Sequence, residues 1–251
     1  MRLDSLVDFL DKTLRVADFD SDSAMNGLQV ECSRNITRVA TTVDACEESI
    51  ARAAGSGAEL LIVHHGLFWG EASPLTGVMG RRIGLLFSKG VSLYAAHLPL
   101  DCHEDIGNNI GLARLLEIED PRPFGVYRGI KIGLEGKPPR RTTLRALSAR
   151  LKKNLGDSPK TFPFGPSEIK RLGIVSGGGS SLVQQAKEGG CDTLHTGETT
   201  HSVTPTAREA KINLVCAGHS ATETPGVRSL CELIEGEFGL PSKFIDIPTG
   251  L

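Results

Sequence analysis

The chain has 251 residues, 39% of them hydrophobic and 23% charged, with 28 basic side chains against 30 acidic ones. A chain of this size forms one large domain or two small ones and buries a core without disulfides or structural metals. The near-neutral balance argues against a general nucleic-acid footprint, which needs a basic excess or stripe. One local basic group, Lys137, Arg140, Arg141, Arg145, Arg150, Lys152 and Lys153, reads as a solvated helix face.

The first segment, MRLDSLVDFLDKTL, is amphipathic and carries three aspartates, so it reads as a helix and not as a signal peptide. Asn26-Gly27, in NGLQV, reads as a turn. Residues 38–66, RVATTVDACEESIARAAGSGAELLIVHHG, run as apolar strand, turn, Ala-rich helix, second apolar strand and polar end. That is a βαβ unit by length and periodicity. A helix-strand passage follows and ends in GVSLYAAHLPLD. Its weakly charged stretch from Ile83 to Leu100 is interrupted by Lys89, Gly90 and Pro99, which argues against a membrane span. Pro99 predicts a loop for HLPLD.

Pro121, Pro123 and Gly125 mark the expected boundary, dividing the chain into halves at 1–125 and 126–251. Beyond it the pattern predicts a strand at Ile130–Leu134, a helix at Thr142–Leu155 and a short strand near Thr161. Residues 171–198, RLGIVSGGGSSLVQQAKEGGCDTLHTGE, then repeat the βαβ pattern, and the following passage ends in KINLVCAGHSATE. A helix from Val227 to Phe238 and a strand from Lys243 to Ile247 close the chain, and that strand can cross back to the other half. The fold class expected is therefore α/β: two related α/β halves from a duplicated βαβ unit, with polar residues at the C-terminal ends of strands where ligands bind. The competing reading is coincidence between two common patterns.

Six cysteines, at positions 32, 46, 102, 191, 216 and 231, form no CxxC pair and no dense framework. They read as reduced thiols in a cytoplasmic protein.

Three strand ends carry the chemistry. His64 and His65 close the apolar run before Gly66, where two imidazoles have little packing purpose; the competing reading is a solvent-exposed strand end. His97 and Asp101 follow another apolar strand, and Asp101 also fits a turn cap. His219 and Glu223 come from GHSATETPG. Ser220 and Glu223 fit a capping box, but Thr224-Pro225 is also a good helix start, and that choice leaves Glu223 as a ligand. Imidazoles and carboxylates without thiolates suit zinc, iron, manganese or nickel. Three His with two carboxylates exceed the protein ligands of one catalytic zinc, so they predict two ions sharing a carboxylate. Glu198 and His201, in TGETTH, and His97 are the acid–base or substrate-binding candidates. The run Gly177-Gly178-Gly179-Ser180-Ser181 lacks the GK[ST] of a P-loop.

The motifs NGLQV, LIVHHG, HLPLD, TGETTH and GHSATETPGV resemble those of the Nif-three-like family, also called GTP cyclohydrolase 1 type 2 homologues or dinuclear metal centre proteins. The likeness extends over nearly the whole chain, in a short form without an inserted domain. It implies two α/β domains with a dinuclear site in the cleft between them, and a ring-shaped homohexamer. It implies His64, His65, Asp101, His219 and Glu223 as ligands: Glu223 bridging two divalent ions, His65 and Asp101 on one, His64 and His219 on the other. HLPLD departs from the pattern of many members, which have Thr-Asn between His and Leu-Asp.

The function expected is hydrolysis of a small, nucleotide-like or heterocyclic substrate by a metal-activated hydroxide. The runner-up is an iron or zinc carrier or scaffold without turnover. A third reading, an adaptor for protein or nucleic-acid partners, finds least support in the charge.

Overall fold

The structure is a computed structural model and describes residues 1–139, 141–156 and 158–250. Arg140, one of the basic group, lies outside the described residues. The chain forms two compact units, Met1–Leu100 with Gly226–Ile247, and Asp101–Pro225 with Pro248–Leu251. The mixed α/β class and the two α/β halves are as the sequence predicts.

The first unit is built on a five-stranded sheet of β1 (Gly27–Val30), β2 (Val39–Asp44), β3 (Leu60–His65), β4 (Ser92–Ala95) and β11 (Ser242–Phe244). Their spatial order is β1-β4-β3-β2-β11. The four strands from β4 to β11 are parallel and β1 is antiparallel. Parallel strands buried on both faces need continuous apolar runs, which ELLIV supplies. Alternation along β3 sends Leu61 and Val63 to a core with Ile50 and Ala53 of α2 (Glu47–Gly55) and Ile83 and Leu86 of α3 (Gly77–Lys89). Leu60, Ile62 and Tyr94 are buried as well. The Tyr94 hydroxyl donates to Asp11 of α1 (Leu3–Thr13) at 2.7 Å. Phe9 of α1 meets Phe238 of α10 (Thr224–Phe238) edge-on at 4.8 Å. Each such fully buried Leu or Ile contributes about 1.5–3 kcal/mol.

The second unit carries a six-stranded sheet in the order β5-β6-β8-β9-β10-β7. Its members are β5 (Glu119–Tyr127), β6 (Ile130–Lys137), β7 (Lys160–Phe162), β8 (Leu172–Val175), β9 (Thr193–Thr196) and β10 (Asn213–Cys216). Strands β8, β9 and β10 are parallel. Ile174 and Val215 face one core, with Leu112 of α5 (Asn108–Leu115) and Leu147 and Leu151 of α6 (Leu144–Leu155). Val175 and Leu214 face the other, with Val183 and Ala186 of α7 (Val183–Glu188) and Ala207 of α8 (Val203–Glu209).

The two units repeat one topology. In each, a βαβαβ run lays three parallel strands side by side, and an earlier strand, β1 or β7, pairs antiparallel with the third.

Two local expectations change. The Pro-rich segment around 121–125, the expected boundary, is part of strand β5. It tolerates Pro121 and Pro123 because β5 is an edge strand, where missing N–H donors need not break a ladder. Gln185 serves as the next strand there, accepting from Val126 N–H at 2.8 Å and donating to its carbonyl at 3.0 Å. The expected limit at residues 125 and 126 falls inside the β5–β6 hairpin, whereas the compact units change over at Leu100 and Asp101 and again at Pro225 and Gly226. HLPLD is also helical, as α4 (Leu98–Cys102). Pro99 fits because it stands in the first turn, where no intrahelical donor is required. The last helix begins at Thr224, as its Thr-Pro pair predicts, directly after the short α9 (His219–Thr222).

Candidate metal centre

In the first unit β3 delivers His64 and His65 side by side, and the chain after β4 delivers His97. Their ring centroids lie 4.6, 5.1 and 5.7 Å apart. One nitrogen from each lies within 4.8 Å of the others, a group able to hold a metal ion. Each ring is tied through Nδ1. His64 Nδ1 meets the Ala96 carbonyl at 2.9 Å. His65 Nδ1 meets Asp44 at 2.8 Å, because parallel pairing sets Asp44 at the end of β2 opposite His65. His97 Nδ1 meets both oxygens of Asp22, at 2.9 and 3.1 Å. Such acceptors fix Nδ1 as the protonated nitrogen and turn the Nε2 lone pair toward a ligand, the usual second partner of a metal-binding imidazole.

Asp22, which the sequence reading passed over, has a side chain only 1% exposed. Burial alone would raise its pKa. The His97 hydrogen bond and charge, with donors on Asn26 and Ala24, outweigh that and hold it at about 2. The NGLQV motif is likewise more than a turn. Asn26 accepts from the His97 N–H at 2.7 Å and donates to Asp22 at 3.0 Å. Gln29 accepts from Leu67 N–H at 2.7 Å, and Met25 N–H donates to the Phe68 carbonyl at 3.0 Å. Residues 25–29 thus pin both segments that carry the imidazoles.

In the second unit Asp101 sits on α4 and is 8% exposed. Its Oδ1 accepts from Asn108 at 2.9 Å and from Ser176 at 2.7 Å. Asn109 secures the backbone of both, donating to the Asp101 carbonyl and accepting from Ser176 N–H. His219 and Glu223 stand four residues apart across α9, with Nε2 3.2 Å from Oε1. His219 Nδ1 is held by Glu198 at 2.9 Å. The Glu223 hydrogen bond raises the His219 pKa most, burial opposes it, and Glu223 and Glu198 charges add, giving about 9. Gly177, at φ +57°, clears this spot: a Cβ there would lie 2.1 Å from Glu223 Oε1 and 3.0 Å from His219 Nε2. The glycine run after β8 therefore makes room for donor atoms.

The other candidates part company. Glu198 orients His219. His201 lines a separate cleft of about 610 Å³ with Lys160, Phe162, Thr204 and Arg208. His195 is fully buried in β9, where burial pushes its pKa down to about 4. His103 accepts the N–H groups of Asp105 and Ile106.

Residues 1–249 match the sequence profile of Duf34/NIF3 (NGG1p interacting factor 3). This chain belongs to the DUF34/NIF3 family. The NIF3 chain is 42% identical over 252 residues to the "GTP cyclohydrolase 1 type 2 homolog" of Pyrococcus abyssi, with both proteins covered fully. It superposes on TTHA1606 from Thermus thermophilus with a TM-score of 0.93 at 42% identity, again over the whole of both chains. The structural-genomics protein ybgI, described as of unknown function, gives 0.94 at 33% identity with full coverage of both. None of the six cysteines of this NIF3 chain is in a disulfide. Among its described residues no helix is long and apolar enough to cross a membrane.

Proposed function

We propose that this protein is a cytoplasmic, dinuclear metal-dependent hydrolase of a small nucleotide-like or heterocyclic substrate, with His64, His65, Asp101, His219 and Glu223 as the ligand set. The observation that carries the reading is the shared wiring of the imidazoles. His64, His65 and His219 each present Nε2 because Nδ1 is tied to an acceptor. The donor chemistry fits zinc, iron, manganese or nickel. The name of the Pyrococcus abyssi relative points to GTP as a substrate to try first.

Bound divalent ions supply Lewis acidity and water that ionises near neutral pH. The protein does the rest. Asp44 and Glu198 hold the ligand rings, and Asn108 and Ser176 hold the Asp101 carboxylate. Of the acid–base candidates, His97 is the best placed, since it lies beside His64 and His65 and its Nδ1 proton is fixed on a buried carboxylate. Its Nε2 takes a proton from the attacking water and returns it to the leaving group. Glu198 acts as a positioning residue for His219. His201 is left to bind substrate groups from its own cleft.

The carrier reading rests on two observations: Glu198 is occupied in a hydrogen bond to His219, and His201 stands in a separate cleft. One experiment separates the two. His97→Gln should keep two ions per chain by elemental analysis while turnover of GTP or a related heterocycle falls roughly 10²–10⁴-fold. Unchanged turnover removes His97 from the chemistry. Metal passing readily to an apo-acceptor, with no substrate turned over, selects the carrier. Glu223→Ala should lower the metal content from near two to one or fewer, and light scattering should give the mass of six chains.

A further inference from the structure

Trp69 is the sole tryptophan of the chain, and it stands 42% exposed among the imidazoles of the first unit. Its ring lies 5.1 Å from His97, nearly perpendicular at 72°, and 5.8 Å from His65 at 47°. Its indole N–H donates to the Gly66 carbonyl at 3.1 Å. The segment that bears it is secured on either side, by Gln29 at Leu67 and by Met25 at Phe68. The indole N–H is thus already used and its segment secured, while the side chain stays exposed. Exposing that much aromatic surface gains nothing for folding. What an exposed indole secured beside two imidazoles offers is stacking.

We infer that Trp69 is the stacking platform for the planar nitrogen-heterocyclic ring of the substrate. The inference rests on the metal-centre reading above and names the side chain that recognises the ring. A bicyclic heteroaromatic laid on the indole would reach alongside His97 and His65, because those rings border Trp69 directly. The same contact discriminates: a phosphate chain or an aliphatic sugar has no π face and gains little from Trp69. His97, whose ring plane crosses the indole at 72°, would then stand beside the bound ring, where a proton-transferring nitrogen is needed.

The test uses the zinc-loaded full chain, with GTP as the probe that has a ring and inorganic tripolyphosphate as the probe that lacks one. Binding is followed by calorimetry and by the emission of the lone tryptophan. GTP should change that emission saturably, and tripolyphosphate should not. Trp69→Ala should weaken GTP about tenfold or more, the usual worth of one base–aromatic stack. Trp69→Phe should restore binding to within about threefold of wild type, since a smaller ring still stacks. Tripolyphosphate should bind all three proteins alike. Equal GTP affinity in Trp69→Ala and wild type overturns the inference. So does GTP binding that leaves the emission unmoved, or an absence of GTP binding. A change in oligomeric mass in Trp69→Ala with GTP affinity intact also overturns it, and makes the face a protein interface. The metal-centre reading is scored separately, by zinc content of the same samples: zinc absent from wild type sinks that reading, whereas zinc retained with no ring effect sinks only this one.

Discussion

The two units lay down the same three parallel strands and then put different chemistry at their ends. In the first, β3 ends on His64 and His65, directly after Val63, which pairs with Ala95 of β4. In the second, β9 closes with Thr196, paired to Cys216, and Gly197 and Glu198 follow. An imidazole has no room at the second place, since a Cβ on Gly197 would lie 2.7 Å from the Gly177 carbonyl and from His219 Cα. The third strand of each unit leads into a His followed four residues later by an acid, His97 to Asp101 and His219 to Glu223. In both, the acid or its His lies on a short helix, α4 or α9. The frame repeats, and the residues at the strand ends differ. The first unit became a cluster of oriented imidazoles, and the second a pair of buried carboxylates with one imidazole.

That division can be broken at its most crowded point. Gly177→Ala should destabilise the protein by about 3 kcal/mol, because overpacking and a left-handed backbone add, and metal content should fall with it. Gly178→Ala is the control. Its nearest neighbour would be Glu198 Oε1 at 3.8 Å, an ordinary contact. Denaturant unfolding of the two variants measures the difference, and equal stabilities would show that Glu223 does not need the clearance.

The comparison sharpens at the carboxylates behind the rings. Asp44→Asn in the first unit and Glu198→Gln in the second should each weaken metal binding roughly 10–100-fold. Competition against a chelator reads this directly. An effect confined to one variant would mean that only that unit's imidazole is a ligand.

The smallest effect expected is a pH dependence private to the first unit. The Asp22 carboxyl titrates lower in the folded chain, at about 2, than its ordinary value near 3.8. A depressed carboxylate stabilises the fold above its ordinary pKa and loses that contribution as pH falls toward the folded value. The shift corresponds to about 2 kcal/mol. Asp22→Asn should therefore cost about that much at neutral pH, and the gap to wild type should close between about pH 4 and about pH 2. A gap independent of pH would show that the role of Asp22 is packing alone.

Much of this molecule is written locally. Apolar runs such as ELLIV and LGIV give the parallel strands, since a strand buried on both faces must be apolar throughout. The internal repeat gives the two α/β halves. His64, His65, Asp101, His219 and Glu223 stand out because polar residues directly after such runs fall at strand ends. Pro99 and Pro121 misled the sequence reading for an equally physical reason: a proline's cost depends on whether its missing N–H is needed, and a first helical turn or an edge strand does not need it. What the tertiary structure alone decided is the support behind the donors. Asp22 reaches His97 from 75 residues away, Asp44 reaches His65 from 21, and Ser176 reaches Asp101 from 75. No periodicity links such pairs. They meet because strand pairing, parallel for β2 with β3 and antiparallel for β1 with β4, and the crossover helices bring distant segments to one edge of each sheet, and only there does an ordinary aspartate or serine become the partner that fixes a ring or a carboxylate.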